Sequence, residues 1–572
     1  MGALRRPLGA LPLRLLVALL VLLAAAAAAP TAAAARRDAD IVLVGGGTAG
    51  CALAARLCAA LPSRRVVLLE RGPPRNGTEE FLVRSPRQAL ASWALPSLLE
   101  AFPTAAEPSL GGRRIRLMVG ASLGGGSAVN IGQWTVPLDG TVGRWGVDGL
   151  DEAAARRHYR RAARQVGVAV PRRGLWQQYA DDWLAAAERA GLPSVSEAGW
   201  PQPDRGAWVH RLTVDAAGRR RDACSAYVTP ALGGACAHNL RVVQGVAVTK
   251  VLWDDDRAAG GAPRRPAAGG RRRVTGVAYV MSTDRDAARP RVRSLRARLA
   301  VISTAGAVGS PALLQRSGIG PPAVLRRAGV PPRVDLPVGE QFATRPLVGV
   351  THSYAGGTAR LAVENNGSVV ASAAARRAWE AGRGGVLGVA AFAGLGRVPD
   401  GDGGYVSATF TVDPAPGDRR FRTYCMTNTA SSGQLAVVDG SPFTPPTVIT
   451  NLLGGGAAEV TTMLSCLRRV AAVGDAFAPR FAMRQTEPEP GRPLDEAYVR
   501  DLAGSSAHFV GGAPVGAVLD GRLRVRGFHN LYVVDSSAIP SIPPSAGTMA
   551  SVYMLAEHMA GRLARVFRPV GA

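Results

Sequence analysis

The segment from Asp38 to Glu70 restricts the fold of this 572-residue chain more tightly than any other. Ile41 to Val44 is a short continuous apolar run, as expected of a strand buried in a parallel sheet. It runs into GGGTAG, where Gly45, Gly47 and Gly50 occupy the glycine positions of G-x-G-x-x-G with Thr48 and Ala49 between them. A helix follows through Ala52, Leu53, Ala55 and Leu57, and a second apolar run, Val66 to Leu69, ends at Glu70 and Arg71. The glycines allow a tight turn, close backbone approach to a pyrophosphate, and close helix–strand packing, while the helix N-terminus faces the phosphates. Glu70 stands twenty residues after Gly50, where a carboxylate can accept a bond from a ribose hydroxyl. Strand, glycines, helix, strand and acid in this order predict an α/β, Rossmann-type dinucleotide-binding domain. A carboxylate at position 70 argues against a 2′-phosphate.

Three further segments narrow the ligand. VGASLGGGSAVNIGQW, Val119 to Trp134, is a glycine-rich loop carrying Gly120, Gly124, Gly125, Ser127 and Asn130. GAVGSPALLQRSGIG, Gly306 to Gly320, follows an apolar strand, with Ser310-Pro311 expected to start a helix. LRVRGFHNLYVVDSSAIP holds an apolar run, Leu531 to Val534, that delivers Asp535 and Ser536 to a strand end. Together these segments resemble the glucose–methanol–choline (GMC) oxidoreductases, over about residues 38 to 565. GGGTAGCALAARL and LLERG look like that family's plant branch, which includes mandelonitrile lyases and HOTHEAD-type proteins.

The resemblance implies FAD as cofactor. The Val119–Trp134 loop would cover the flavin and pyrophosphate, Val248 would lie near the adenine, and Asp535 near the ribityl and pyrophosphate. It divides the chain into a targeting segment at 1–35, an FAD-binding region at 38–335, a substrate domain at 336–504 and a C-terminal segment at 505–572. The FAD domain is then discontinuous, and the substrate domain holds an antiparallel sheet and helices. Residues 254–273, poor in large apolar groups, read as a mobile insert. Tyr405 to Val412 and Gln434 to Asp439 read as strands, and Thr461 to Phe477 as an amphipathic helix.

Alcohol oxidation on this fold needs a base for the hydroxyl proton and a carbon facing flavin N5 for hydride transfer. His508 in HFVGGAPVG fits the family's His-x-x-Gly stretch and is the candidate base. The family's second His or Asn would fall near Ala546 or Gly547, neither of which has a polar side chain. Val510 and Ala513 also depart from the plant pattern. Two classes of function remain: an alcohol oxidoreductase of narrow capacity acting on a small molecule, or a lyase-like or catalytically degenerate FAD protein.

A formal charge of +26 raises nucleic-acid binding, but the positive groups are scattered arginines mixed with acids, with Lys250 the sole lysine. That pattern lacks the clustered face with interleaved aromatics of nucleic-acid proteins. Arg5, Arg6 and Arg14 precede the apolar run Leu15 to Ala29 and small residues, the order of a cleaved secretory signal. An uncleaved membrane anchor and an organelle transit peptide are the rivals. Six cysteines are too few for a disulfide framework; Cys51 and Cys58 share a helix and suit packing, and Cys224 with Cys236 is a possible pair. Asn76 and Asn366 head glycosylation tripeptides.

Overall fold

The computed structural model describes residues 38–170, 180–195, 205–254, 270–287, 289–354, 372–389, 394–397, 411–412, 420–481 and 483–569. The targeting segment, most of the 254–273 insert, Asn366 and most of Tyr405 to Val412 lie outside them. Residues from Ala39 onward form one compact unit.

The chain begins with β1 (Asp38–Val44), helix α1 (Thr48–Ala60) and β2 (Val66–Leu69). The apolar runs pair in parallel, Ile41 opposite Val66 through Val44 opposite Leu69, and every side chain of β2 is buried. Helix α2 (Glu152–Val166) packs outside, and β3 (Leu240–Val243) extends the sheet beside β2. The strands β4 (Val246–Trp253), β5 (Val274–Met281) and β6 (Arg293–Ser303) add an antiparallel flank. Helix α3 (Gly306–Arg316) follows. It starts at Gly306, four residues before the expected Ser310-Pro311 start, because Asp535 accepts from both the Gly306 N–H and the Ser310 hydroxyl.

The chain then builds a second, antiparallel sheet from β7 (Pro346–Tyr354), β8 (Thr411–Val412), β9 (Arg420–Met426), β10 (Met483–Glu487) and β11 (Gly504–Ser505). Helix α4 (Ala457–Phe477) packs on this sheet and covers the expected 461–477 helix. Of the expected 434–439 strand, Gly433–Ala436 forms. The chain returns as β12 (Leu531–Val533), parallel to β6, and ends in helix α5 (Met549–Phe567). The first sheet therefore has the order β3-β2-β1-β6-β5-β4 with β12 beside β6. An α/β domain assembled from separate stretches, plus an antiparallel sheet with helices, is the expected fold class.

Helix α5 packs against both α1 and α2, and one buried carboxylate ties the three. Glu557, 0% exposed, accepts from Arg56 of α1 at 2.8 Å, pairs with Arg161 of α2 at 3.0 Å, and accepts from the Tyr227 hydroxyl at 2.8 Å. Such a group is tolerated because its charge and lone pairs are matched. The cysteines depart from expectation. Cys236 bonds to Cys58, with Cα atoms 5.6 Å apart, and a second disulfide joins Cys425 to Cys466. Cys224 is free, since the packing of α1 brings Cys58 to Cys236 first.

Candidate active site

The carboxyl ends of β1, β2, β6 and β12 open onto a cavity of about 710 Å³. Gly45, Gly47, Thr48, Ala49, Glu70, Arg71, Gly120, Gly125, Ser127, Asn130, Val248, Asp535, Ser536 and His508 all line it. Residues from four distant segments thus meet in one space.

Two predicted contact residues do not line it. A Cβ on Gly50 would stand 2.0 Å from the Gly45 carbonyl oxygen, so Gly50 serves helix–strand packing. A Cβ on Gly124 would stand 2.6 Å from Asp222 Oδ2, so Gly124 faces the protein interior. Both are glycines for lack of room behind the cavity wall.

The acids are more committed than the sequence suggests. Glu70 accepts from the N–H groups of Gly46 and Gly72, each at 2.7 Å, pinning the glycine turn to the end of β2. Asp535 accepts from Gly306 N at 2.9 Å, Ser310 Oγ at 2.5 Å, Ser537 N at 2.8 Å and Ser537 Oγ at 2.6 Å. Four donors match the roughly four lone-pair sites of a carboxylate. Asp535 therefore shapes the start of α3 and the Ser536 turn instead of offering a free oxygen. Burial pushes its acid up, against the pull of those donors. Asn130 is committed too: its Oδ1 accepts from Arg220 at 3.0 Å and Gly132 N at 2.9 Å.

These walls fit FAD. Gly45 has φ 107°, and a Cβ there would lie 2.6 Å from Ala305 Cα. A Cβ on Gly125 would lie 2.7 Å from Gly47 Cα, so the covering loop meets the fingerprint turn at backbone distance. The first-turn N–H groups of α1 lack intrahelical partners by construction and suit a diphosphate.

At the other end, His508 is half-buried, and its remaining exposure is to the cavity it lines. Burial, and then the Arg345 charge, push its pKa down to about 3, so the imidazole is neutral near pH 7. Its Nδ1 is buried without a hydrogen-bond partner among the described residues. Arg345, itself 0% exposed, donates to the Ser545 carbonyl and, at 2.6 Å, to that of Pro543. It thereby fixes the loop that leads into Ala546 and Gly547. A Cβ built on Gly547 would sit 3.7 Å from His508 Nε2 and 3.6 Å from Thr135 Oγ1. The position opposite the imidazole is therefore an open slot, bordered by a buried hydroxyl with no partner.

The sequence reading missed Thr135, Arg345 and the Gln133–His210 contact of 2.7 Å, in which Gln133 lines the cavity. Gln133 does fall within the quoted loop. Arg345 and His210 carry no local pattern. Leu347, Tyr424 and Met426, from the second sheet, complete the wall near His508.

Comparison with known proteins bears on this arrangement. A family model described as GMC oxidoreductase matches residues 39–347, and a second with the same description matches residues 429–556. The chain is 29% identical over 580 residues to 5-(hydroxymethyl)furfural oxidase of Methylovorus sp. (strain MP688), across 91% of this chain and 97% of that protein. It is 26% identical over 580 residues to the chloroplastic fatty acid photodecarboxylase of Chlamydomonas reinhardtii, across 91% and 90%. The crystal structure of pyridoxine 4-oxidase from Mesorbium loti shares the fold, with a TM-score of 0.71 at 21% identity over 92% of this chain and 99% of that one.

Proposed function

The chain belongs to the GMC oxidoreductase family, matched over residues 39–347 and 429–556, and from that premise we propose that His508 is the proton acceptor in oxidation of an alcohol. Its cofactor is FAD, and it is an oxidoreductase of a family that acts on alcohols and aldehydes. When bound, FAD would supply a two-electron acceptor for the carbinol hydride. Gly45, Gly47, Thr48 and Ala49 would hold its diphosphate, Val248 and Arg71 its adenosine end, and Gly120, Gly125, Ser127 and Ser536 the stretch between.

The observation that carries the reading is His508 at the cavity wall, neutral and with Nε2 toward the Gly547 slot. A neutral imidazole accepts the hydroxyl proton at Nε2. Leu347, Tyr424 and Met426 line the cavity with largely apolar side chains, which disfavours water there. The depressed basicity and the vacant partner position support slow turnover over a narrow substrate range. Gly547 offers no side chain to share the proton or anchor an alkoxide.

The test is anaerobic flavin reduction with a panel of primary, secondary and aromatic alcohols. His508→Ala should slow the reduction by ~10²–10⁴-fold while FAD stays bound. Equal rates in parent and variant would make His508 a structural residue. If no alcohol reduces the parent flavin, the lyase-like or degenerate reading takes its place; the missing side chain at Gly547 and the plant-like GGGTAGCALAARL segment favour that second reading.

Passage into the secretory pathway, with cleavage between about Ala29 and Ala35, is part of the proposal. The charged–apolar–small order of the N-terminus supports it, as do two disulfides, which persist in oxidising compartments. N-terminal sequencing of native material decides it: an intact Met1 would overturn cleavage.

A further inference from the structure

Behind the glycine-rich loop at the cofactor cavity lies a buried guanidinium that no carboxylate pairs among the described residues. Arg220 is 1% exposed. Its NH1 donates to Asn130 Oδ1 at 3.0 Å and reaches the Ser127 carbonyl at 3.4 Å, and its Nε has no partner among the described residues. Both acceptors are neutral, and both residues line the cofactor cavity. The nearest acid, Asp222, is 0% exposed and pairs with Arg75 at 2.9 Å. Arg75 also reaches Glu80 at 3.0 Å, but Glu80 is 42% exposed and solvated. Among the described residues no carboxylate lies within ion-pair distance of Arg220. Arg75 thus has both carboxylates within ion-pair distance, and Arg220 shares only the more distant field of Asp222. Burial draws the Arg220 pKa down to about 10, so the group is still cationic near pH 7.

An unmatched charge kept out of water costs several kcal/mol unless something compensates it. Among the described residues no carboxylate supplies the compensating anion, and Arg220 lies one residue's thickness from the cofactor space. Asn130, its main contact, donates to Met549 Sδ at 3.0 Å. Met549 is two residues from Gly547, while Ser127 is two residues from Gly125, which meets Gly47 of the fingerprint turn, so this charge stands behind the cavity wall between the two ends.

We propose that Arg220 is the electrostatic counter-charge to the reduced flavin. Oxidised flavin is neutral; adding a hydride, two electrons and one proton from the alcohol, leaves a net charge of −1 on the ring system. A fixed cation behind the Ser127–Asn130 wall favours that product over the oxidised form. Arg220 does not line the cavity. It is a positioning and tuning residue, acting through its field and through its hold on Asn130.

The proposal rests on FAD binding but not on His508 or on any alcohol, since a chemical reductant titrates the flavin equally well. The experiment is a spectroelectrochemical titration of FAD in the holoprotein and in Arg220→Lys, Arg220→Gln and Asp222→Asn. At fixed potential, Arg220→Gln lowers the ratio of reduced to oxidised FAD about tenfold, the effect of a unit charge roughly 10 Å away at an effective dielectric of about 20. Arg220→Lys keeps the parent potential within a few-fold, and Asp222→Asn, which frees more positive charge, moves it the opposite way. If Arg220→Gln does not retain FAD, the sign of the Asp222→Asn shift decides. A weaker FAD affinity with unchanged potentials would overturn the proposal, showing that the charge serves the diphosphate. Shifts of the same sign in the Gln and Asn variants would overturn it too, as they would mark a purely structural role.

Discussion

Replacing Gly547 by Asn should accelerate the chemistry. Gly547 is not among the left-handed glycines, so an L side chain adds no backbone strain. Its Cβ would meet Thr135 Oγ1 at 3.6 Å and His508 Nε2 at 3.7 Å, both ordinary van der Waals distances. Stability should hold, with a gain of up to ~0.4–1 kcal/mol from the restricted unfolded chain. An Asn amide extends about 2.4 Å beyond Cβ by standard bond lengths. That carries a donor into the cavity beside the imidazole, where an alkoxide oxygen would form. A single preorganised donor of this kind is worth ~10²–10³-fold when removed from an evolved site. An unsupported one should deliver less than that range, roughly a tenfold faster flavin reduction at saturating alcohol. Stopped-flow reduction under anaerobic conditions measures this directly. Gly547→Ala is the control, since it fills the same Cβ position with no donor and should leave the rate unchanged. If the Asn variant binds FAD yet reduces it no faster than the Ala variant, proton transfer does not occur beside His508.

Gly50→Ala drives a methyl to 2.0 Å from the Gly45 carbonyl oxygen and should weaken FAD binding ~10–100-fold, measured by flavin fluorescence on titration. Acid should destabilise the packing of α2 on α5, where His158 and His558 sit with ring centroids 5.2 Å apart. Burial, and then His158, hold the His558 pKa down to about 4, while an unfolded chain takes its proton near ~6.5. The stabilisation is therefore complete above about pH 6.5 and falls as pH drops toward about 4, by up to ~1.4 kcal/mol per pH unit. Denaturant melts should show His558→Gln flattening that slope. Cys58→Ser with Cys236→Ser opens a loop spanning 178 residues and should cost up to ~5 kcal/mol, read as a lower melting temperature than the parent's under non-reducing conditions.

The sequence by itself determined the cofactor fold. An apolar run, three glycines at fixed offsets and an acid after the next strand are local backbone requirements, and local requirements are written in local sequence. The glycine-rich loop, the Gly306 segment and the Asp535 strand end were legible for the same reason, and so was the place of His508 at the cavity wall. What the sequence misjudged was which group satisfies which. Asp535 and Gly306 are 229 positions apart, so neither neighbourhood reveals that the acid is committed to the N–H that starts α3. Cys58 found Cys236 across 178 positions because helix packing, not spacing, sets that distance. Gly50 and Gly124 satisfy the motif yet face the interior, a distinction that needs the neighbouring atoms. Arg220, in a run of three arginines, and Thr135 have no pattern at all. Hydrogen bonds and buried charges are matched in space, over a few ångströms, and only the folded chain determines which distant residues come that close.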